Sequence, residues 1–205
     1  GLLLSLCAAA TLLFVAGGYG FYRHQAKIIR AEKYEELQAI ASLKVGQIAA
    51  WRKERMADAR FVSTGIGGED ASRWIEARGD DALEAEIRSR GAMLMESYGY
   101  QNLIVAALDG RLLLSLDARL TELDLSARDL VAEVVASRSI VFGGLFHCPA
   151  CDQVHLDVAA PILDGAGRAT AVLILRTDPD KDLYPLIQFW PTSSESAETL
   201  LLRKD

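Results

Sequence analysis

The fold is decided by the stretch QVHLDVAAPILDGAGRATAVLILRT at residues 153 to 177. It contains two apolar runs, Gln153 to Ile162 and Ala169 to Thr177, in which β-branched residues are frequent. They are joined by Asp164-Gly165-Ala166-Gly167, and Asp and Gly are residues that tight turns favour. The stretch therefore predicts two antiparallel strands connected by a short turn.

Further strand signals lie on the N-terminal side of this stretch. Ile140 to Phe146 is a third apolar run. The residues Cys148 to Asp152, which are typical of a turn, separate it from the strand that begins at Gln153. Asn102 to Leu108 and Arg111 to Leu116 flank Asp109-Gly110, which is the strongest short-range signal for a β-hairpin. Short links between consecutive strands predict an antiparallel sheet of about five strands, with the helices packed on it.

A long helix is predicted before the sheet. Arg23 to Thr64 has no proline, contains one glycine and is rich in Ala, Glu, Lys, Gln and Arg, which are good helix formers. Its apolar residues recur at helical spacing, so the helix is amphipathic. The glycine-rich run Gly65 to Gly68 is predicted to break it.

Three shorter helices are predicted beyond this break. Asp70 or Ser72 is suited to cap a short helix around Trp74. A second helix is expected from Asp80 or Asp81 to Tyr98, ended by Gly99, and a third from Ser126 to Ser137, with Ser126 as its cap.

The N-terminal segment is predicted to cross a membrane. Leu2 to Tyr22 contains no charged residue, and about 20 apolar residues are needed to span the hydrocarbon core of a bilayer. A secretory signal peptide is the alternative interpretation. The basic residues Arg23, His24, Lys27 and Arg30 follow directly, and the positive-inside tendency alone would place that flank in the cytoplasm.

Two function classes are disfavoured by composition and motifs. The net charge is −6 and acidic and basic residues are interleaved, so the chain lacks the basic patch of a nucleic-acid-binding protein. It has no phosphate-binding loop, no nucleophile elbow and no carboxylate pair in a catalytic context. We therefore expect a non-catalytic chain without a resident cofactor.

Two further segments carry a family resemblance. They are LKVGQIAAWRKERMADARF at residues 43 to 61 and DLYPLIQFWPTSSESAETLLLRKD at residues 182 to 205. With the strand pattern between them, they resemble the N-terminal sensor region of bacterial membrane-bound signalling proteins, the double Cache type. Such regions precede histidine kinase, diguanylate cyclase or chemoreceptor output modules.

The resemblance implies an α+β fold in which the transmembrane helix continues into a long helix that leads to a PAS-like five-stranded antiparallel sheet with flanking helices. The implied organisation is a transmembrane helix at 1–22, a signalling or stalk helix at 23–66, a membrane-distal Cache module at 67–190 and the start of a truncated membrane-proximal module at 191–205. On this basis the chain is expected to be a fragment that lacks the remainder of the proximal module, a second membrane helix and the output domain.

The implied function is that of an extracytoplasmic small-molecule sensor, which relays ligand binding through the long helix to a cytoplasmic output domain. The resemblance places the protein in the bacterial inner membrane, anchored through residues 2–22, with its sensor domain periplasmic, and implies a homodimer for the full-length protein. The alternatives are a zinc or redox sensor centred on the CPAC turn, residues 148 to 151, and a structural module that binds a protein partner.

The predicted ligand site rests on charges within apolar strands. Side-chain alternation puts His155 and Asp157 on one face of their strand, and a charged residue in such a place is costly unless it is paired. Asp157 and Arg176 therefore either form an ion pair or face a ligand. For an amino acid or small carboxylate, Arg176 would bind the carboxylate and Asp157 the ammonium group. The candidate ligand-binding residues are Tyr98, Tyr100, Phe146, His155, Asp157 and Arg176.

The run HCPACDQVH at residues 147 to 155 offers a second kind of site. His147, Cys148, Cys151 and His155 are the ligand types of a tetrahedral zinc ion. A disulfide between Cys148 and Cys151 is the alternative in an oxidising compartment, and a bridge across so short a loop would be reducible enough for redox sensing.

Overall fold

The structure is a computed structural model that describes residues 1–64, 66–77, 80–148, 152–190 and 199, with residues 66–69 described by their backbone alone. The described chain consists of two compact units, residues 1–46 and residues 47–205. Its helices are α1 (Leu2–Thr64), α2 (Ile66–Glu76), α3 (Asp81–Tyr98), α4 (Leu125–Ser137) and α5 (Leu183–Gln188). Its strands are β1 (Asn102–Ala106), β2 (Leu112–Ser115), β3 (Val141–Cys148), β4 (Gln153–Leu163) and β5 (Ala169–Thr177).

Helix α1 is continuous through the sequence that was predicted to form a transmembrane helix and a stalk helix. Among the described residues it is the one helix long and apolar enough to cross a membrane, with a mean hydropathy of 2.0 in its most apolar window and none of that window buried. Side chains such as Leu3, Leu13 and Phe14 are more than 70% exposed. In water such an exposed apolar surface would be unfavourable.

The five strands form one antiparallel sheet in the order β2-β1-β5-β4-β3. This confirms the predicted α+β class and the five-stranded antiparallel sheet. Both predicted hairpins form, β1 with β2 and β4 with β5, and β3 pairs with β4. The pairing of β1 with β5 joins the two hairpins, so that β5 is the central strand and β1 and β4 flank it.

The helix boundaries confirm some predicted signals and correct others. Helix α3 begins after Asp80, whose carboxylate accepts hydrogen bonds from Ala82 and Leu83, and it ends at Gly99 in the left-handed conformation (φ 74°), as predicted. The predicted cap of α4 was wrong. The helix begins one residue earlier, and Asp124 rather than Ser126 accepts the capping hydrogen bond, from the backbone N–H of Ala127 at 2.8 Å.

A short helix around Trp74 forms as predicted, but its predicted start and cap were wrong. This helix begins at Ile66, so Gly67 and Gly68 are helical, whereas Gly65 lies outside the described residues. Asp70 is not a cap: it lies inside the helix, 1% exposed, and its carboxylate accepts hydrogen bonds from Arg73 and Arg90. Helix α5 was not predicted.

The two faces of the sheet carry separate cores. One face packs against the C-terminal part of α1 and against α2 and α3, through residues such as Ala59, Trp74 and Ile87. The other face packs against α4, through Ile104, Ile174 and Val131 among others. Along each central strand, alternate residues therefore belong to alternate cores, and the side chains described next all lie on the α4 face.

Candidate functional site

Asp157 and Arg176 form a buried ion pair in the middle of the α4 face. They lie directly opposite each other on β4 and β5. Arg176 donates from Nε to Oδ1 of Asp157 at 3.0 Å and from Nη2 to Oδ2 at 2.9 Å. The two residues are 2% and 4% exposed. A bidentate pair of this kind fixes the guanidinium in one orientation.

Asp124 adds a second carboxylate to Arg176. Its Oδ2 accepts a hydrogen bond from Nη2 of Arg176 at 3.0 Å, while its Oδ1 caps α4. The cluster thus combines one positive group with two negative ones and carries a net charge of −1. The side chain of Asp124 is 22% exposed and that of Asp157 only 3%, so Asp124 is the carboxylate that solvent reaches.

Burial and charge shift the ionisation of this cluster. Burial raises the pKa of Asp157, although the hydrogen bonds from Arg176 act in the opposite direction. Burial opposes the charge of Arg176, but the hydrogen bonds and negative charges of Asp157 and Asp124 outweigh it and raise the pKa of the guanidinium. Arg176 is therefore a permanent cation held between two carboxylates.

Phe146 and His155 form an aromatic wall beside the cluster. They lie opposite each other on β3 and β4, with ring centroids 5.6 Å apart. The guanidinium carbon of Arg176 lies 5.1 Å from the centroid of the Phe146 ring, within cation–π range. Burial, followed by the positive charge of Arg176, lowers the pKa of His155, so its ring is neutral at neutral pH.

Asn102 continues the polar cluster onto β1. It lies opposite Arg176 in the sheet and is 3% exposed. Its Nδ2 donates to Oγ of Ser115 at 2.9 Å, and its Oδ1 accepts from the backbone N–H groups of Leu116 at 3.1 Å and Asp117 at 3.0 Å. The amide thereby fixes the loop that follows β2, where the chain turns toward α4.

A cavity of about 660 Å³ opens beside these residues. This volume lies within the range of about 300 to 1,000 Å³ that small-molecule sites occupy. Asp124 of the polar cluster and Phe146 of the aromatic wall both line this cavity. The full lining is Leu120, Glu122, Leu123, Asp124, Leu125, Ser126, Arg128, Phe146, His147 and Cys148. We call this space the α4-face cavity.

Solved structures of sensor domains share this architecture. The ligand-binding domain of a Campylobacter jejuni chemoreceptor in complex with 4-methylisoleucine matches with a TM-score of 0.59 at 14% identity, over 72% of this chain and 59% of that domain. The sensor domain of the V. cholerae histidine kinase DctB matches with a TM-score of 0.58 at 12% identity, over 78% of this chain and 60% of that domain. The chain thus spans about three fifths of these domains.

A third match is the ligand-binding domain of a Pseudomonas aeruginosa amino acid chemoreceptor in complex with GABA, with a TM-score of 0.55 at 17% identity, over 76% of this chain and 68% of that domain. No protein-family profile matches the sequence, and no curated protein matches it either. The likeness therefore lies in the three-dimensional arrangement. The chain has the fold of a Cache-type sensor domain.

Within this Cache-type fold, four of the six predicted ligand-binding residues lie together, namely Phe146, His155, Asp157 and Arg176. Tyr98 and Tyr100 lie elsewhere. Tyr98 is at the end of α3 and half exposed. Tyr100 belongs to the core on the opposite face, where its hydroxyl donates to Oδ2 of Asp58 at 2.7 Å. Burial and this hydrogen bond raise the pKa of Tyr100.

The predicted zinc ligands are only partly described. His147 and His155 lie on opposite faces of the β3–β4 hairpin, because His147 pairs with Val154 while His155 pairs with Phe146. Cys148 is buried at the end of β3, and Cys151 lies outside the described residues. Within the described ranges, no group of three or more His, Cys, Asp or Glu side chains is close enough to hold a metal ion. The zinc site and the disulfide both stay predictions.

Sequence reasoning missed two residues of the polar cluster on the α4 face, Asp124 and Asn102. Asp124 carries a local signal, since an aspartate directly before an apolar helical run is a preferred cap. Asn102 carries no such local signal. An asparagine at the start of a strand looks like a turn residue in the sequence, and its role depends on the contact with Ser115 in the folded chain.

Proposed function

We propose that this chain is the extracytoplasmic sensor region of a membrane-anchored signalling protein and that it binds a small ligand in the α4-face cavity. The observation that carries the proposal is that Asp124, which accepts a hydrogen bond from Arg176 of the buried ion pair, lines a ligand-sized cavity. The fold supports it, because the similar solved structures are ligand-binding and sensor domains. Such a chain is non-catalytic in its own right.

The charge of the cluster favours a ligand that carries a protonated amine. Both oxygens of Asp157 accept hydrogen bonds from Arg176, whereas Asp124 reaches solvent. An ammonium group would therefore bind Asp124 and neutralise the excess negative charge. In an amino acid, the carboxylate would approach Nη1 of Arg176. Within the described part of the chain, Arg176 donates its hydrogen bonds from Nε and Nη2 and does not use Nη1. This keeps the predicted role of Arg176 and replaces Asp157 by Asp124 in the predicted ammonium contact.

The remaining parts of the proposal concern the whole protein. Helix α1 anchors it in the bacterial inner membrane through residues 2–22, with the sheet on the periplasmic side, and ligand binding biases α1 between two arrangements that an output domain reads. The full-length protein acts as a homodimer. These statements follow from the family resemblance and from the apolar N-terminal part of α1.

A thermal-shift screen followed by calorimetry tests the ligand class. The full 205-residue chain, reconstituted in lipid nanodiscs, is screened against amino acids, simple amines and simple carboxylates. A ligand that binds the folded state raises Tm, and above Kd the stabilisation grows with the logarithm of the ligand concentration. We expect the amines and amino acids to raise Tm and the carboxylates without an amine to have no effect.

The residue assignment is tested with a matched pair of variants. Asp124→Asn keeps a capping oxygen but removes the charge, and it should weaken binding of the best amine about tenfold or more, because a hydrogen bond to a charged group contributes about 1.5–3 kcal/mol. Glu122→Gln removes a charge on the same cavity, but this carboxylate forms an exposed ion pair with Arg128. Because exposed ion pairs contribute little, this variant should change the affinity for the amine less than about threefold. Equal effects of the two variants, or no amine that binds, would contradict the proposal.

A further inference from the structure

A second cavity lies on the opposite side of the sheet from the proposed ligand site. It has a volume of about 310 Å³ and lies between the C-terminal part of α1, helices α2 and α3, and strands β1 and β5. Its walls are mostly aliphatic, with Val62, Ala71, Ile87, Leu94, Leu103 and Leu173 among them. It shares no lining residue with the α4-face cavity.

This space adjoins the core and opens to solvent beside Phe61, which is 71% exposed, and its size is unusual for a small domain. Protein cores are packed like organic crystals, with few voids larger than a water molecule. An apolar cavity of about 150 Å³ is already sufficient to bind benzene, and this cavity is about twice as large. An apolar void of this size destabilises a fold when it is empty, and water inside it would find few hydrogen-bonding partners.

The polar groups at this cavity are already paired. Asp70 and Arg90 line it, and the Asp70 carboxylate accepts hydrogen bonds from Arg73 and Arg90. Arg90 also donates to Glu86. The two arginines and the two acidic residues carry no net charge between them. A charged ligand would therefore find no complementary charge, and its desolvation in an aliphatic pocket would be unfavourable.

We propose that this cavity is a second binding site, which takes an uncharged and mostly hydrocarbon molecule of about ten non-hydrogen atoms, as scaled from the cavity that accommodates benzene. Phe61 and Val62 of α1 line the cavity together with Leu103 and Leu173 of the sheet. An occupant would therefore contact both the helix and the sheet and would stabilise their packing. The proposal is independent of the ligand of the α4-face cavity.

Methyl NMR of the full chain in lipid nanodiscs tests it, with n-octanol as the probe. The methyl groups of Ile87 and Ile162 line the cavity, and those of Ile104 and Ile174 lie in the core on the other face. We expect saturable chemical-shift changes and intermolecular NOEs to n-octanol at Ile87 and Ile162, and no change at Ile104 and Ile174. Shifts that grow linearly at all four residues, or no shift at Ile87 and Ile162, would overturn the proposal.

A cavity-filling variant supplies the matched control. Ala71 lines the cavity on α2 and is 2% exposed, whereas Ala77 is exposed just beyond the end of the same helix. Ala71→Leu should reduce the affinity for n-octanol at least tenfold, and Ala77→Leu should leave it unchanged. If Ala71→Leu fails to fold, Leu94→Phe fills the same space from the partly buried side of α3 and should have the same effect. Unaltered binding in a folded filling variant would contradict the assignment.

Discussion

Asp157 and Arg176 face each other across β4 and β5 and share two hydrogen bonds of 3.0 and 2.9 Å in a setting from which solvent is almost excluded. Neither side chain is tolerable in that position without the other, because an uncompensated buried charge is strongly unfavourable. The stability of the sheet and the charge of the proposed ligand site therefore depend on the same pair.

Removal of one partner should be far more damaging than removal of both. Arg176→Leu is expected to lower the free energy of unfolding by about 3–5 kcal/mol, because it leaves Asp157 buried without its cation. The double variant Asp157→Leu/Arg176→Leu should recover part of that loss. Thermal unfolding in nanodiscs, followed by near-ultraviolet circular dichroism, measures both.

The control for this experiment is an exposed pair. Arg119 donates to Asp117 at 2.8 Å, but its side chain is 85% exposed. Arg119→Leu should change stability by less than about 1 kcal/mol, as is usual for surface ion pairs. If the double variant at 157 and 176 is less stable than Arg176→Leu alone, the ion pair stabilises the fold by more than the compensation of one buried charge by the other.

Asp124 has two roles that substitutions can separate. Asp124→Ala removes both the cap of α4 and the hydrogen bond to Arg176, and we expect a loss of about 2–4 kcal/mol. Asp124→Asn keeps a capping oxygen and should lose about half as much. Asp80→Ala removes an exposed cap that has no ion-pair partner in the described structure, and should cost about 1 kcal/mol. Equal losses for Asp124→Ala and Asp80→Ala would argue against the second role.

Gly143 holds β3 close to β4. A Cβ atom at this position would lie 2.9 Å from the backbone oxygen of Asp157, and a backbone oxygen cannot move without displacing the strand that carries the ion pair. Gly143→Ala should therefore destabilise the fold by about 1–3 kcal/mol. Gly165 is the control, since nothing lies within 4 Å of a Cβ atom there, and Gly165→Ala should be tolerated. The same Tm for both variants would contradict this role of Gly143.

Because of His155, the free energy of unfolding should decrease as the pH falls below about 6.5. Its pKa in the folded chain is lowered from 6.5 by burial and by Arg176 and His147, against the opposing effect of Asp124 and Asp178. Above pH 6.5 both folded and unfolded states hold a neutral ring. As the pH falls below that value, the unfolded state binds the proton first, so the stabilisation is lost as the pH approaches the folded pKa.

The measurement is the difference in Tm between about pH 7.5 and about pH 5.5, which brackets the ordinary pKa of histidine. His155→Gln should reduce this difference. His24→Gln, at an exposed position of α1 that does not contribute to the shift at His155, should leave it nearly unchanged. An unaltered pH dependence in His155→Gln would show that other groups are responsible.

Those features of the fold that depend on local sequence were predictable. The Asp109-Gly110 turn and the alternation in Gln153 to Ile162 were sufficient for the hairpins and for the placement of Asp157 on one face. Asp70 shows the limit of such reasoning. An aspartate near glycines is typical of a cap, but here a partner 20 residues away, Arg90, keeps it inside the helix. Tyr98 and Tyr100 show the same limit, because periodicity does not reveal which face of the sheet a residue between elements will join.

The strand order β2-β1-β5-β4-β3 places the first strand beside the last. Asp124 and Arg176 are 52 positions apart in the chain, and Asp157 and Arg176 are 19 apart. Contacts of high sequence separation form slowly, because closing the intervening loop loses entropy before any contact forms. During synthesis on the ribosome, β1 to β4 can emerge and begin to pair while Asp157 still lacks its counter-charge. The nascent chain therefore completes its cluster of Asp124, Asp157 and Arg176 only after β5 has left the exit tunnel.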